Sequence, residues 1–382
     1  IEDTLWTIPP ALLSYSKGSL QINDFNLKHG SKQLSLNGTV SKLKSDSLQL
    51  KLSGIRINDI LDMVAFDDVE FGGIATGNVN VSDVFGTPAV NAALNVENFE
   101  FNNAPMGNMN LIGTWNNEMK QIDLKAFIEE RQGTTDITGF VNTGQNTIDL
   151  RFDANNTNAM FLNKFMPDAV QFEQGRTTGK LRLHGKLNAM NLEGTQVISN
   201  IIADIEPLCT RYVIDGDTIN FRTDVIEFKG LDIVDRYGNH AKMQGQVNHK
   251  ALHHFSYDFN IAANKFLAYD FPRSSEYSFW GTAYANGNIH IYGFPGQFYT
   301  EASVQPAENT VFTYNAARPD DPEHTQMLTY RNADARYTTD DSKKQDFNTV
   351  IKKEEKGTDI RLNFTFDLTP ASEIRVIMNE EA

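Results

Sequence analysis

Apolar and polar residues alternate with a period of two along almost the whole of this 382-residue chain. Successive Cβ atoms of a strand face opposite sides. Ile360, Leu362, Phe364 and Phe366, separated by Arg361, Asn363 and Thr365, therefore specify one dry face and one wet face. The same grammar governs Leu48, Leu50 and Leu52, then Ile148, Leu150 and Phe152, then Tyr257, Phe259 and Ile261. Uninterrupted apolar runs, which mark parallel strands covered on both faces, are scarce. The pattern predicts an all-β chain with mostly antiparallel pairing. Asp215-Gly216, between apolar stretches, predicts a hairpin turn. Helical spacing is confined to three short stretches, 58–65, 158–166 and 264–269, each one or two turns long.

The alternation repeats at a longer period. Gly77-Asn78-Val79-Asn80-Val81, Gly179-Lys180-Leu181-Arg182-Leu183 and Gly287-Asn288-Ile289-His290-Ile291 share the form Gly-x-apolar-x-apolar. A second marker keeps step with the first: Gly38 with Val40, Gly139 with Val141, and Gly245 with Val247. Two markers in one order and phase imply a repeat array in which each unit leans on its neighbours. The units run approximately 1–76, 77–178, 179–286 and 287–382, the last incomplete. We expect one continuous, elongated, curved and twisted sheet forming a repeating β-groove with short helices between repeats. Spacing strands about 4.8 Å apart gives it a length on the order of 100 Å or more. Residues 316–356 break the rhythm with dense charge and proline, and read as a surface insertion or loop.

The marker glycines Gly38, Gly77, Gly139, Gly179, Gly245 and Gly287 all fall on the inward parity of their strands. Packed interiors leave little empty volume, and glycine within a strand marks a bend, a bulge or a close approach. Two readings follow: corners of a strongly curved sheet, or room above the dry face for an apolar ligand or a crossing helix.

Composition narrows the partners. Against 34 Lys and Arg stand 49 Asp and Glu, a formal charge of −15. That balance excludes a cationic nucleic-acid face, so no nucleic acid is expected. A single cysteine, Cys209, excludes an intramolecular disulfide framework and any multi-cysteine metal site. His249, His253 and His254 cluster where a strand meets a turn and read as turn residues. No phosphate loop or nucleophile elbow occurs, and neither cofactor, metal nor catalytic residue is expected. No stretch approaches the roughly 18 apolar residues of a membrane span. The sequence opens at Ile1 without a leader, as an excised piece or a mature chain would, so any anchor is expected outside it.

Residues 279–314 (FWGTAYANGNIHIYGFPGQFYTEASVQPAENTVFTY) resemble the carboxy-terminal region of the TamB family of translocation and assembly module proteins, relatives of the AsmA-like proteins. The closing Phe366-Asp367-Leu368-Thr369-Pro370-Ala371-Ser372-Glu373-Ile374 is similar to the same family's strand-Thr-Pro-x-x-Glu segment. The resemblance implies a periplasmic protein of a diderm bacterium, anchored in the inner membrane by a segment absent from this chain. It further implies an apolar groove, an Omp85-type outer-membrane partner, and roles in phospholipid movement or outer-membrane protein assembly. It implies no catalytic residues.

The leading expectation is a groove that holds or conducts phospholipid acyl chains. Its lining would be Leu48, Leu50, Leu52, Val79, Val81, Ile148, Leu150, Phe152, Leu181, Leu183, Ile289, Ile291, Ile360, Leu362, Phe364 and Phe366. The alternative is a scaffold that pairs its sheet edge with a client strand. An enzyme on an all-β solenoid would need coils of roughly 20 to 25 residues and a polar catalytic cluster, neither of which the sequence carries.

Overall fold

The computed structural model describes residues 6–61, 70–166, 170–273, 278–316, 359–366, 370 and 372–378. They form one sheet of 22 strands. The first ten are β1 (Leu12–Ser16), β2 (Ser19–His29), β3 (Lys32–Val40), β4 (Ser47–Arg56), β5 (Phe71–Ser82), β6 (Ala89–Phe101), β7 (Ala104–Asn116), β8 (Gln121–Glu129), β9 (Thr134–Asn142) and β10 (Thr147–Asn158). A single helical turn, α1 (Ile57–Leu61), follows β4. There follow β11 (Val170–Lys186), β12 (Ala189–Ile205), β13 (Thr210–Ile214), β14 (Thr218–Arg222), β15 (Val225–Asp235), β16 (His240–Lys250) and β17 (His253–Phe271). The last are β18 (Phe279–Phe294), β19 (Gln297–Pro306), β20 (Thr310–Asn315), β21 (Asp359–Phe366) and β22 (Ser372–Ile377).

From β1 to β12 each strand pairs antiparallel with the next. Strands β13 and β14 lie end to end between β12 and β15, and β19 and β20 lie end to end beside β18. The meander closes on a parallel edge, β21 against β19 and β22 against β20. Since β13 with β14, β19 with β20 and β21 with β22 each share a place, the 22 strands fill 19 positions. At about 4.8 Å per position the sheet measures about 85 Å along its hydrogen-bonding direction. The result is all-β, elongated and curved, as the alternation predicts.

The curvature has a local cause that recurs. In β2 the chain bulges at Asp24, whose φ is +54° and whose N–H donates to Asn37 Oδ1 at 2.7 Å. In β4 Gly54 (φ +64°) donates to Thr76 Oγ1 at 3.2 Å. In β10 Asn156 (φ +53°) donates to Thr178 Oγ1 at 2.9 Å, and in β17 Lys265 (φ +51°) donates to Asn286 Oδ1 at 2.7 Å. A bulge leaves one N–H off the ladder and sharpens the twist. Here a side chain on the neighbouring strand takes that N–H. Each acceptor immediately precedes a marker glycine: Gly38, Gly77, Gly179 and Gly287. The longer repeat is thus a series of captured bulges.

Two local expectations are overturned by the same physics. Asp215-Gly216 makes no hairpin, because β13 and β14 run in one direction as halves of an interrupted strand. Asp215 Oδ1 accepts the Asn200 N–H at 2.9 Å and Asp217 Oδ2 accepts the Asp232 N–H at 2.8 Å. The two carboxylates satisfy the neighbouring strands where the ladder is broken, and the chain carries on. Ile214 and Ile219, an odd number of residues apart, are both buried, a phase that only an inserted residue restores.

Residues 264–269 form no helix but part of β17. The helical spacing of Phe266, Leu267 and Tyr269 comes from register shifts between Ala263 and Phe266 and between Leu267 and Tyr269. At 158–166 the chain forms a 3-10 turn, Met160–Phe165. The stretch at 58–65 gives α1, and its residues 62–65 lie outside the described residues. Apart from Ala316, so does the charged segment 316–356.

Candidate functional site

The dry face is largely apolar but is not uniform, and the buried Thr135, Thr157, Thr177 and Gln196 cross it from β9 to β12 as two hydrogen-bonded pairs. From β3 to β10, inward side chains meet across the ladder in register: Leu36 with Leu50, Leu50 with Val79, Leu48 with Val81, Leu94 with Leu111, Ile122 with Val141, and Ile137 with Phe152. All of these are half-buried. They form an apolar lane spanning eight strands, about 34 Å across. Along one side of the lane runs a buried row that includes Ile55, Ala75, Val96, Met109 and Ile128.

At β11 the lane closes. Leu150 and Phe152 pair with Leu181 and Leu183 in register, Leu150 with Leu183 and Phe152 with Leu181, and both β11 residues are buried. Beyond them Ile198, Ile201, Ile226, Leu231, Ile289, Ile291 and Phe298 are buried as well. The described residues form one sheet, so its own walls and the 3-10 turn do this shielding. Of the predicted lining, Leu48, Leu50, Val79, Val81, Leu150 and Phe152 are thus open to solvent. Leu52, Ile148, Leu181, Leu183, Ile289 and Ile291 are enclosed by protein. Ile360, Leu362, Phe364 and Phe366 lie on β21, in register with Phe298, Thr300, Ala302 and Val304.

Two contacts close the second half. The first is the 3-10 turn Met160–Phe165, which sits inside the curl. Phe161 packs on Phe101 of β6 with ring centroids 5.9 Å apart, while Phe165 packs on Phe221 of β14 and Phe255 of β17 at 6.1 and 6.0 Å. A segment of six residues therefore bridges walls that are far apart in the ladder. Phe161, Leu162 and Phe165 are all buried.

The second is a seam between β13 and β17. The Tyr212 hydroxyl donates to the Leu267 carbonyl at 2.9 Å, the Leu267 N–H donates to Asp235 Oδ2 at 2.8 Å, and the Tyr212 and Phe266 rings stack at 4.7 Å. Leu267 is fully buried. Burial drives the Tyr212 hydroxyl pKa well upward, so it stays a donor. Burial also pulls the Asp235 carboxyl up, but hydrogen bonds donated by Asn239, Leu267 and Tyr237 outweigh it and the net shift is downward.

The marker glycines do not hold space for a ligand, and that expectation is corrected here. A Cβ on Gly38, Gly77, Gly139, Gly179, Gly245 or Gly287 would stand 1.9 to 2.4 Å from a carbonyl oxygen of the adjacent strand. The backbones approach too closely for any side chain, as they do where a sheet bends sharply. Nor is the face above them bare: Phe228 and Phe259, the two cross-strand partners of Gly245, meet edge to face with centroids 5.4 Å apart.

The wet face carries ion pairs across strands. Arg182 holds Asp149 in a two-pronged hydrogen bond (3.0 and 2.6 Å) that keeps the Asp149 carboxyl below the usual range, and Arg211 holds Asp204 in the same way. His249 is buried at the end of β16, where its Nδ1 accepts the Leu252 N–H at 3.2 Å and burial depresses its pKa. His253 and His254 begin β17. Among the described residues no group of three His, Cys, Asp or Glu side chains is arranged to hold a metal, and no helix is long and apolar enough to cross a membrane.

Sequence reasoning placed the lane by parity but did not single out Phe161 or Phe165. Their signal was present as an apolar stretch, Met160-Phe161-Leu162, that fails to alternate. No family model, curated protein or solved structure matches the chain.

Proposed function

We propose that this chain is the groove segment of a TamB-like envelope protein, holding phospholipid acyl chains on the lane from β3 to β10. The observation that carries the reading is the lane itself: an in-register apolar surface across eight strands, half-buried, with mostly polar residues on the opposite parity, Ile74, Ile112 and Phe127 among the exceptions. A lipid whose two chains each bury about ten methylenes gains on the order of 16 kcal/mol relative to water. Relative to a bilayer the gain is near zero, since the chains are already dry there. That balance suits a carrier, because tight net binding would stall release. The headgroup would stay in water at the open rim. On this reading the chain works between the inner and outer membranes of a diderm bacterium and uses no catalytic residue.

Photoreactive side chains at Leu50 and Leu150 should capture lipid from vesicles, while the same reporters at Lys51 and Arg151, one residue away on the wet face, should not. Equal capture at both parities, or none at any position, overturns the reading.

A second reading, a scaffold pairing with a strand of an Omp85-type partner, draws on β1. Its residues are all exposed, including Leu12, Leu13 and Tyr15, and it pairs only with β2 among the described strands. Reporters at Leu13 would then capture peptide rather than lipid.

A further inference from the structure

We propose that the seat of the 3-10 turn Met160–Phe165 is a second acyl-chain site, filled by the chain's own side chains until lipid displaces them. This rests on the reading of the lane as an acyl-binding surface and extends it past the point where the lane closes.

The position of the turn is the first argument. It follows directly on β10, the last strand of the open lane, and precedes β11, the first strand of the closed section. Its rings contact Phe101 on one side and Phe221 and Phe255 on the other. Removing it would join the lane to the inward faces of β14 and β17.

The chemistry of the turn is the second. Met160, Phe161, Leu162 and Phe165 present alkyl and aromatic surface to apolar walls, which is what an acyl chain presents. Exchanging one for the other is close to neutral at the apolar walls, so what holds the turn down is its polar attachment.

The attachment of the turn is the third. A buried segment meant to stay fixed is normally tied by many backbone hydrogen bonds. Here the body of the turn, past its entry, is joined to the sheet through one side chain: Asn163 Oδ1 accepts the Phe172 N–H at 2.7 Å and Asn163 Nδ2 donates to the Phe172 carbonyl at 3.0 Å. Other bonds are local, Leu162 N–H to Ala159 O, Met166 N–H to Asn163 O and Met160 N–H to Asn158 Oδ1, or fasten the entry to the sheet, Ala159 N–H to Gly175 O on β11 and Asn158 Nδ2 to Pro105 O on β7. Asn163 thus acts as a strap that a peptide-like pair of bonds fastens to β11, with the apolar side chains resting on the seat.

A diazirine-bearing stearate in phosphatidylcholine vesicles, followed by peptide mapping of the adducts, tests this. In the unaltered protein the probe should label β3–β10 strongly and the peptides of Phe221 and Phe255 weakly. In F161A/F165A the self-competition is removed, and labelling of the Phe221 and Phe255 peptides should rise about tenfold, as expected when a binding-competent state ceases to be minor. Labelling that stays confined to β3–β10, in a variant whose circular dichroism is unchanged, overturns the second site and leaves the lane intact. Labelling of neither region overturns both. Should F161A/F165A not fold, hydrogen exchange on the unaltered chain decides. The Phe172 amide, released from Asn163, should exchange faster when lipid is added, and an unchanged rate overturns the proposal.

Discussion

The lane from β3 to β10 and the closed section from β11 to β20 are built from one grammar and end in different states. Both alternate, both bulge next to a polar-glycine pair, and both carry ion pairs or amides on the wet face. In the first, Leu50 and Val79 remain half-open; in the second, Phe298 and Ile201 are wholly enclosed. The difference lies in what faces the strand and not in the strand. Where the curl brings β17 over β13, and where a six-residue turn fills the middle, the same apolar parity becomes a core. A trough and a core are therefore two closures of one sheet, and each region predicts how the other would respond if its closure were changed.

The largest effect separates the regions by depth. Phe298→Ala should cost about 3 to 5 kcal/mol, because it leaves a cavity in a packed interior. Leu50→Ala should cost about 1 kcal/mol, since its seat already admits water. Urea unfolding of both variants checks this. Equal costs would mean that the lane is as enclosed as the rest, and the contrast would be gone.

A second test asks whether the bends belong to the backbone or to the trough. Gly38 lies in the open region and Gly287 in the closed one, with φ of +130° and +138°. A Cβ would meet Ser47 O at 2.1 Å and Ser303 O at 2.4 Å. Gly38→Ala and Gly287→Ala should each cost about 2 kcal/mol or more, by similar amounts, because the clash is with the neighbouring strand in both. A cost confined to Gly287→Ala would tie that glycine to the packing of the core.

Acid should act on the seam. Asp235 has its folded-state pKa below its unfolded value, so its contribution is complete above the unfolded pKa of about 4 and is lost as pH falls through the lower folded value. The seam at Leu267 should therefore loosen below about pH 4, because the Leu267 N–H donates to the Asp235 carboxylate itself. Hydrogen exchange at Leu267, compared between the unaltered chain and Asp235→Asn, reads this. An acid response that survives in Asp235→Asn would assign it to the paired carboxylates of the wet face, Asp149 among them.

How much of this was legible in the sequence follows the same division. Parity is a property of single strands, and Leu48, Leu50, Val79 and Val81 fell on the dry face as read. The phase of the glycines was legible too, but not their meaning. Their partners in the bulges, Thr76, Thr178 and Asn286, are polar residues that only the register reveals as acceptors. Asp215-Gly216 looked like a hairpin because a turn and a bulge use the same chemistry: a glycine at positive φ beside carboxylates that take backbone N–H groups. The span 264–269 looked helical because two bulges in six residues imitate a 3.6-residue spacing. What fills the trough could not be read at all, since alternation states which way Leu183 points and is silent on what stands opposite.

The smallest effect tests whether the captured bulges set the curve. Thr178→Val keeps the shape of the side chain but removes the acceptor for the Asn156 N–H. That N–H is exposed, so water can replace the lost bond and the cost in stability should be about 0.5 kcal/mol. Geometry should respond more than stability does. Without its capture, the bulge at Asn155 and Asn156 has less to hold Asn156 at φ +53°, and the junction between the lane and the turn at Met160 should straighten. Distances between spin labels at Arg151 on β10 and Arg211 on β13, wet-face positions on either side of that junction, should lengthen and broaden in Thr178→Val and stay put in Thr138→Val, whose hydroxyl faces no bulge. Identical distance distributions in the two variants would move the origin of the curve from the bulges to the packing of the closed section.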